Sequence, residues 1–467
     1  MSGPAAVALT LPAKAPAWVS DAIFYEVFPD RFANGDPSND PVGVVEWTAA
    51  PTRDNFFGGD LAGLIGKLDY LDNLGVNALY LTPIFKAGTN HRYDAHDYFR
   101  VDPALGDVDL VRELVRQAHA RGMRVVLDGV FNHCGDGFWA FRDVLARGSS
   151  SPYYDWFFVD SVPISKDPPN YQACGGAPYL PKLNTDHPDV RRHLLDAAGY
   201  WLREAEIDGW RIDVPWEVSD EFWCELREVV KAANPDAYLV AEAWYEWWRL
   251  PEIFDGLMNY RLRKQLLDFC VLGVVDAQTL ARGLEMLFAE ALDAPAMLNL
   301  LGSHDTVRLL TRAAGDERRA ILAFAALFTL PGAPMLYYGD ELGMEGENDP
   351  DCRRAMVWDP ALQRDSIQTA VRGLIELRRT VPALRRGSYV PVYAFNRVFA
   401  YARTAEAEQV TVVLNAGPAR SELEIPTGNE TKAMEVRDAL TGWAFPVREG
   451  AVKIAQLPEC SALILRS

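Results

Sequence analysis

The 467-residue sequence has no apolar run near the roughly 18 residues that a membrane-spanning helix requires. It also has no CxxC pair, and its six cysteines are scattered and interpreted as buried or inert thiols. Residues 1–17 are rich in Ala and Pro but lack the basic start and long apolar centre of a secretory signal. These absences argue against a membrane protein and favour the cytoplasm, where thiols stay reduced.

Basic residues are outnumbered, since 46 Lys and Arg stand against 65 Asp and Glu, giving a formal net charge of -19. Such a surface repels phosphate backbones, so nucleic acid is a poor partner. The acidic excess is interpreted as solvated surface. A hydrophobic share of 49% is enough to fill the two or three domains that the length suggests.

Short apolar segments alternate with helical stretches through the first three quarters of the chain. There are eight, the number of strands in a closed βα barrel, which predicts the fold class α/β with a (β/α)8 TIM barrel. In residues 110–122 the apolar positions recur at helical spacing and end at Gly122, a C-cap signal. The predicted strands are residues 22–29, 76–85, 123–131, 207–213, 238–244, 254–259, 296–305 and 333–341.

Two regions depart from this alternation. Residues 134–184 are rich in Pro, Gly, Ser and aromatics and too long for an ordinary βα loop, which predicts an inserted subdomain over the strand ends. Short alternating segments near the C-terminus predict an antiparallel β-sandwich. The predicted division is a flexible leader (1–17), the barrel (18–133 and 185–382), the inserted subdomain (134–184) and the β-sandwich (383–467).

Polar side chains are concentrated where the predicted strands end, at the face of a βα barrel that carries catalysis. Carboxylates converging on one mouth are costly to fold unless they have a function. They follow strands three, four, five and seven: Asp128, Asn132 and His133; Arg211 and Asp213; Glu242; His304 and Asp305.

Asp213 and Glu242 suit the two carboxyl roles of glycoside cleavage, one attacking the sugar carbon and one donating a proton to the leaving oxygen. Arg211, two residues earlier on the same strand face, is expected to keep Asp213 ionised. The apolar neighbours of Glu242 are expected to keep that carboxyl protonated. We therefore expect opposite environments for two acids about 5 Å apart, as a retaining mechanism requires.

Four segments resemble, in order, the signature regions of the α-amylase family of glycoside hydrolases. Longer segments, among them FPDRFANGDPSNDP and HRYDAHDYF, are similar to the neopullulanase, cyclomaltodextrinase and maltogenic amylase branch. The resemblance implies a retaining hydrolase of α-1,4-glucans, including malto-oligosaccharides, cyclomaltodextrins, starch and pullulan, with some transglycosylation. The four segments are DGVFNH at 128–133, GWRIDV at 209–214, AEAW at 241–244 and LLGSHDT at 300–306.

The resemblance also implies a role for each matching residue. Asp213 matches the nucleophile, Glu242 the acid/base, and Asp305 the third carboxylate, which binds sugar hydroxyls and helps to distort the ring. The implied substrate-binding residues are Tyr93 under the sugar ring, His133 and His304 at its hydroxyls, Arg211 beside the nucleophile, Asp349 and Arg353 on the non-reducing side, Trp216 on the acceptor side, and Trp244.

In the branch, the segment that matches NGDPSNDP forms a calcium site with the later GGD. The matching residues offer oxygen ligands of the kind a hard cation takes, so the resemblance implies a structural Ca2+. Asx-rich turns also form without metal. The implied ligands are Asn34, Asp36, Asn39, Asp40, the Gly58 carbonyl and Asp60.

The sequence departs from the branch in three places. DVANE has become Asp213-Val214-Pro215-Trp216-Glu217, which leaves the preference among cyclic, linear and branched substrates open. GEIW has become AEAW, which loosens the packing around the acid. The branch's N-terminal β-domain, which shapes a dimer, has no counterpart here, so a monomer with a more open cleft is one expectation and the oligomeric state stays open.

Three alternatives remain. A transglycosylase, glucanotransferase or trehalose-forming enzyme shares the covalent intermediate and differs in whether water or a sugar accepts it. A non-catalytic carbohydrate-binding relative would lack the carboxylates that Asp213, Glu242 and Asp305 supply. A starch-binding module at the C-terminus has little support, because Tyr389 and Trp443 are too scattered to form a platform.

Overall fold

The computed structural model describes residues 15–244, 253–290, 296–406, 408–427 and 433–466. The barrel strands and one hairpin are β1 (Phe24–Val27), β2 (Ala78–Leu81), β3 (Phe85–Ala87), β4 (Ala95–Val101), β5 (Arg124–Gly129), β6 (Gly209–Ile212), β7 (Tyr238–Ala241), β8 (Gly256–Leu257), β9 (Leu298–Leu300) and β10 (Ala333–Tyr337). The C-terminal strands are β11 (Ser388–Phe395), β12 (Val398–Ala405), β13 (Glu408–Asn415), β14 (Arg420–Pro426), β15 (Glu435–Asp438), β16 (Ala444–Arg448), β17 (Ala451–Leu457) and β18 (Ser461–Arg466).

Most α-helices of the described residues lie between barrel strands in the sequence, and the last two lie between the barrel and the C-terminal strands. They are α1 (Pro29–Phe32), α2 (Leu61–Gly66), α3 (Leu68–Leu74), α4 (Val108–Ala120), α5 (Trp139–Arg147), α6 (Pro188–Glu204), α7 (Asp220–Ala233), α8 (Tyr260–Leu266), α9 (Ala277–Glu290), α10 (Leu309–Arg312), α11 (Glu317–Thr329), α12 (Asp365–Thr380) and α13 (Pro382–Arg386).

Eight parallel strands form one sheet in the order β8-β7-β6-β5-β2-β1-β10-β9. Its two edges meet through a parallel bridge between Met258 and Leu298, so the sheet closes into a barrel. Each strand lies within one of the eight predicted segments. The predicted (β/α)8 fold is confirmed.

Alternation along the strands gives the barrel an inner and an outer face. On β2, Tyr80 belongs to the apolar cluster inside the barrel, whereas Leu79 belongs to the cluster under the helices. On β5, Val126 points inward and Leu127 outward in the same way. By this period of two, Asp128 at the end of β5 shares the inner face, which directs its carboxylate into the mouth.

Helix α4 shows how local signals set the outer helices. The Asp107 side chain accepts a hydrogen bond from the Leu110 backbone N–H at 2.9 Å and begins the helix. The predicted stop at Gly122 is also found, because that residue has φ 74°, a conformation that favours glycine. The apolar face of α4 packs against the outside of the barrel through Val111 and Leu114, which are buried.

The segment between β5 and α6 corresponds to the predicted insertion. It contains α5, several 3-10 turns and isolated antiparallel bridges. The bridge from His133 to Lys182 ties its two ends together beside the end of β5. The domain boundaries proposed from sequence stay predictions, and residues 1–14 of the predicted leader lie outside the described residues.

The C-terminal strands form the predicted antiparallel sheet, in the order β11-β12-β13-β18-β15-β16-β17-β14. On β12, Phe399 and Tyr401 join the large cluster shared with the barrel helices, whereas Val398 and Ala400 join a separate cluster against the outer strands. This two-sided burial is the packing of a β-sandwich.

Within the described parts of the chain, every helix is too short or too polar to cross a bilayer. The six cysteines are unpaired. Cys224 is exposed, so the predicted alternative of a buried thiol does not hold for this cysteine.

Candidate active site

The mouth of the barrel is organised around one buried arginine on β6. The Nη1 of Arg211 donates to Oδ1 of Asp213 at 2.8 Å and to Oδ1 of Asp128 at 2.9 Å. Its Nη2 lies 3.2 Å from Oε2 of Glu242. The Asp213 and Glu242 residues are 6% and 5% exposed. Three acids from three neighbouring strand ends therefore share one guanidinium.

The arrangement corrects two sequence expectations. Arg211 serves both Asp213 and Glu242, so the two acids do not have opposite environments. Burial raises the pKa of the Asp213 carboxyl well above its usual range, against the opposing charge of Arg211. With one positive charge for three acids, the cluster favours keeping a proton, which an acid/base pair requires.

The two carboxyl oxygens of Glu242 have different partners. Oε2 accepts a hydrogen bond from the backbone N–H of Val214 at 3.1 Å and faces Arg211. Oε1 accepts from the indole Nε1–H of Trp244 at 2.6 Å. The indole in turn stacks on Tyr260, with ring centroids 3.6 Å apart and planes 19° apart. Trp244 thus contacts the predicted acid directly.

Asp305 lies on the opposite side of the mouth, after β9. Arg353 donates from Nη2 to its Oδ1 at 3.0 Å, and Nε2 of His304 lies 3.1 Å from its Oδ2. Desolvation in the mouth opposes ionisation, but His304 and Arg353 together lower the pKa of the partly exposed Asp305. Arg353 also reaches Asp349 at 3.0 Å, so the predicted donor-side residues form one connected group.

His304 is held between two acids. Its Nδ1 lies 2.5 Å from Oε1 of Glu26, on β1, and its ring stacks against Tyr93 with planes 17° apart. Burial acts against the charged imidazolium, but Asp305 and Glu26 raise the pKa of His304. The Tyr93 hydroxyl donates to Oδ2 of Asp128 at 2.8 Å and lies 2.7 Å from His304 Nε2.

His133 is buried at the end of β5 and behaves differently from His304. Burial lowers the pKa of His133 to about 4, so the ring is neutral near pH 7. Its Nε2 has no hydrogen-bond partner among the described residues. A neutral imidazole with an unpaired nitrogen is suited to a sugar hydroxyl.

This geometry agrees with what comparison with known proteins finds. The family model described as the alpha amylase catalytic domain matches residues 26–374. The chain belongs to the α-amylase family of glycoside hydrolases. The fold and family predicted from the sequence are therefore confirmed.

Two named relatives and one solved structure show how similar this chain is to known proteins. A cyclomaltodextrinase from a Bacillus species is 47% identical over 422 residues, covering 88% of this chain and 76% of that protein. Neopullulanase 2 from Thermoactinomyces vulgaris is 42% identical over 456 residues, covering 95% and 77%. The ligand-free structure of cyclic alpha-maltosyl-(1-->6)-maltose hydrolase from Arthrobacter globiformis has a TM-score of 0.89 at 45% identity, covering 97% of this chain and 99% of that one.

Several contacts of this α-amylase-family site were missed in the sequence. Glu26 lies inside an apolar segment 278 residues from His304, and nothing in the local pattern marks it. His91 was passed over although it lies two residues before Tyr93, whose backbone N–H donates to its Nδ1 at 3.1 Å. Burial and neighbouring positive groups lower the pKa of His91 to about 3, so its ring is neutral.

Trp216, predicted on the acceptor side, lies half-buried in the 3-10 turn that follows Asp213. The next residue, Glu217, accepts from Asn132 Nδ2 at 3.2 Å and lies 3.2 Å from Lys182 Nζ. The turn is thereby tied to the insertion and to the end of β5. The role of Trp216 stays a prediction.

The predicted calcium ligands lie together between α1 and α2. The Oδ1 atoms of Asn34 and Asn39 are buried and have no hydrogen-bond partner among the described residues. Oδ1 of Asp40 accepts a hydrogen bond from Nδ2 of Asn34 at 2.8 Å. Unpaired amide oxygens next to a carboxylate are the donors that Ca2+ takes, so this part of the set fits the ion.

Two of the other predicted ligands, Asp60 and Asp36, already accept hydrogen bonds within the loop. Asp60 accepts from the backbone N–H groups of Gly35, Asp36 and Gly63 at 3.0, 2.9 and 2.6 Å. Asp36 accepts from Ser38. A Cβ at Gly58 would lie 2.4 Å from Asp40 Oδ1, so glycine is required for this close approach. No cluster of three or more His, Cys, Asp or Glu side chains suited to a metal occurs among the described residues.

Proposed function

We propose that this protein is a retaining hydrolase of α-1,4-glucosidic bonds in malto-oligosaccharides, cyclomaltodextrins and starch, with pullulan as a further substrate. The observation that supports this best is the contact of Arg211 with both Asp213 and Glu242, at 2.8 and 3.2 Å. One guanidinium reaches both carboxyls, which supports a pair that acts on the same glycosidic bond, and the proposed route is the covalent, retaining one.

Asp213 is the proposed nucleophile and Glu242 the proposed acid/base. In the first step Glu242 gives its proton to the glycosidic oxygen, which leaves with the electron pair of the anomeric C–O bond. Because the proton kept by the acid cluster resides on Glu242 in this proposal, Asp213 is a carboxylate and forms the new bond to the anomeric carbon. In the second step Glu242 takes a proton from water, whose oxygen bonds to that carbon and releases Asp213 with net retention.

The remaining polar groups bind the sugar that reacts. Asp305, kept ionised by His304 and Arg353, accepts hydrogen bonds from its hydroxyls. The neutral ring of His133 offers its unpaired nitrogen to another hydroxyl. Tyr93 provides an aromatic surface, fixed through its hydroxyl by Asp128. Hydrogen bonds that strengthen as charge develops on the ring contribute to the rate.

The named relatives support the proposed substrate class. A cyclomaltodextrinase and a neopullulanase are each more than 40% identical to this chain over most of its length, and a cyclic maltosyl-maltose hydrolase is similar along nearly all of it. Cyclic and linear α-glucans are therefore the first substrates to test. With maltotriose as the sole substrate, products longer than maltotriose would reveal transfer to a sugar in place of water.

We further propose that Asn34, Asn39 and Asp40 hold a structural Ca2+ with the Gly58 carbonyl, Asp36 and Asp60. The two unpaired amide oxygens support this assignment. The ion lies outside the chemical steps and would brace the loop before α2.

The test uses Asp213→Asn and Glu242→Gln, with Asp136→Asn as the matched control. Asp136 forms a partly exposed ion pair with Lys166 in the insertion. Each active-site variant should lower kcat on a cyclomaltodextrin by about a thousandfold or more with the fold intact, and the control should not. NMR of fresh product should show the α-anomer first. Near-wild-type turnover of either variant, or a β-anomer, would contradict the proposal.

A further inference from the structure

The indole of Trp244 contacts the acid itself, although sequence comparison placed Trp244 only among substrate-binding residues. Its Nε1–H donates to Glu242 Oε1 at 2.6 Å. The contact is short for an N–H donor, whose usual distance to an oxygen acceptor is about 2.9–3.0 Å. Trp244 therefore fixes one oxygen of the side chain that delivers the proton.

The other oxygen has surroundings that disfavour a proton. Oε2 accepts from the backbone N–H of Val214 and lies 3.2 Å from a guanidinium nitrogen of Arg211. A proton on Oε2 would point toward an N–H donor and a positive charge. Oε1 meets one donor and has a second lone pair available. The proton that is transferred is thus assigned to Oε1.

The indole is itself fixed by stacking. Its ring lies parallel to Tyr260, with centroids 3.6 Å apart, and the Tyr260 hydroxyl lies 3.3 Å from Ser303 Oγ. Tyr260 is buried at the start of α8, so the stack has a rigid base. Because the stacked ring can direct its single N–H in only one direction, the hydrogen bond also determines which way the second lone pair of Oε1 faces.

We propose that Trp244 is a positioning residue for the proton donor: its N–H, held in place by the stack on Tyr260, orients Oε1 of Glu242 so that the acidic proton faces the leaving glycosidic oxygen. The inference rests on the proposed role of Glu242 as acid. In the step concerned, the O–H bond at Oε1 breaks, the proton joins the leaving oxygen, and the anomeric C–O electron pair stays with that oxygen. Asp213 supplies the electron pair for the new bond.

The distinguishing test compares two leaving groups. Cleavage of maltotriose releases a sugar whose glycosidic oxygen needs a proton as it leaves. Cleavage of α-maltosyl fluoride releases fluoride, a weak base that needs little proton assistance. Trp244→Phe keeps the stack on Tyr260 and removes the N–H. It should lower kcat/KM on maltotriose about tenfold and change that on α-maltosyl fluoride by less than about twofold. Tyr260→Leu, which removes the stack, should show the same selective loss.

The matched control is Trp18→Phe, because the Trp18 indole donates to the Asp236 carbonyl at 2.9 Å at the other end of the barrel. It should leave both rates unchanged, and thermal melting should show that all variants fold. Equal loss on both substrates would mean that Trp244 binds substrate or supports the fold, and no loss would mean that Oε1 needs no orientation; either overturns the inference. Glu242→Gln separates the two proposals: if it shows no selective loss on maltotriose, the acid role of Glu242 fails first.

Discussion

Arg353 donates from Nη2 to Oδ1 of Asp305 at 3.0 Å, and these two residues come from segments 48 positions apart. The same guanidinium donates from Nε to the His304 carbonyl at 2.8 Å and reaches Asp349. One side chain therefore joins the loop after β9 to the loop after β10. This link holds together the residues predicted to form the donor side of the candidate site.

Arg353→Ala should impair both substrate binding and turnover, because Asp305 loses its partner and Asp349 is released. Losing a hydrogen bond between charged groups costs about 1.5–3 kcal/mol, so kcat/KM on a cyclomaltodextrin should fall by roughly ten- to a hundredfold. The control is Arg354→Ala, which breaks a partly exposed pair with Asp351. Steady-state kinetics of both variants check this, and equal effects would contradict it.

The buried neutral ring of His133 predicts that stability falls on mild acidification. Its pKa is about 4 in the folded protein, against 6.5 for the free side chain. Above pH 6.5 both states are neutral; below it the unfolded chain takes up a proton that the folded chain excludes. Stability is therefore lost as pH falls from 6.5 toward 4, by up to about 3 kcal/mol from this residue.

Urea unfolding of wild type and His133→Gln between pH 7 and 4.5 measures this contribution. The variant should lose less stability over that range. Part of the dependence should survive, because burial also lowers the pKa of His91, to about 3. Identical pH dependence in the two proteins would show that His133 does not contribute.

Two glycines of one segment should respond oppositely to alanine. A Cβ at Gly59 would lie 2.2 Å from the Pro29 carbonyl oxygen, so Gly59→Ala forces the backbone apart and should destabilise the fold by about 1–3 kcal/mol. Gly66, the last residue of α2, has nothing within 4 Å of its added Cβ. Gly66→Ala should stabilise by up to about 1 kcal/mol. Denaturant midpoints decide, and a shared sign would refute the argument.

Calcium should raise the melting temperature if the unpaired oxygens of Asn34 and Asn39 bind it. At a concentration a hundred times Kd the gain is about 2.7 kcal/mol, which is several degrees, and EDTA should reverse it. Asp40→Asn should abolish the shift, whereas Asp54→Asn, in a nearby exposed segment, should retain it. A shift of equal size in Asp40→Asn would place the ion elsewhere.

Much of the barrel was predictable because its signals are local. Each strand is a short apolar segment, and the strand ends carry the polar residues that face the mouth, as the spacing of Arg211 and Asp213 indicated. The motif resemblance identified the family, and the family match confirmed it. The roles of the individual site residues stay predictions.

Other features depend on distances in space that no local pattern encodes. Glu26 meets His304 only because β1 closes beside β10 and β9 in the sheet. The sharing of Arg211 among three acids depends on how far its guanidinium reaches across the barrel, and so the expected contrast between Asp213 and Glu242 was wrong. The bond from Trp244 to Glu242 depends on a side-chain rotamer, which sequence spacing does not fix.

One residue at the point where the barrel sheet closes also contacts Arg211. Met258 forms the bridge to Leu298 that joins the two sheet edges, and its Sδ accepts from Arg211 Nε at 3.4 Å. The closure of the barrel and the position of Arg211 are thus physically linked through Met258. During refolding from denaturant, enzymatic activity should not return before the two edges of the barrel sheet meet. Recovery of turnover therefore reports that the barrel has closed.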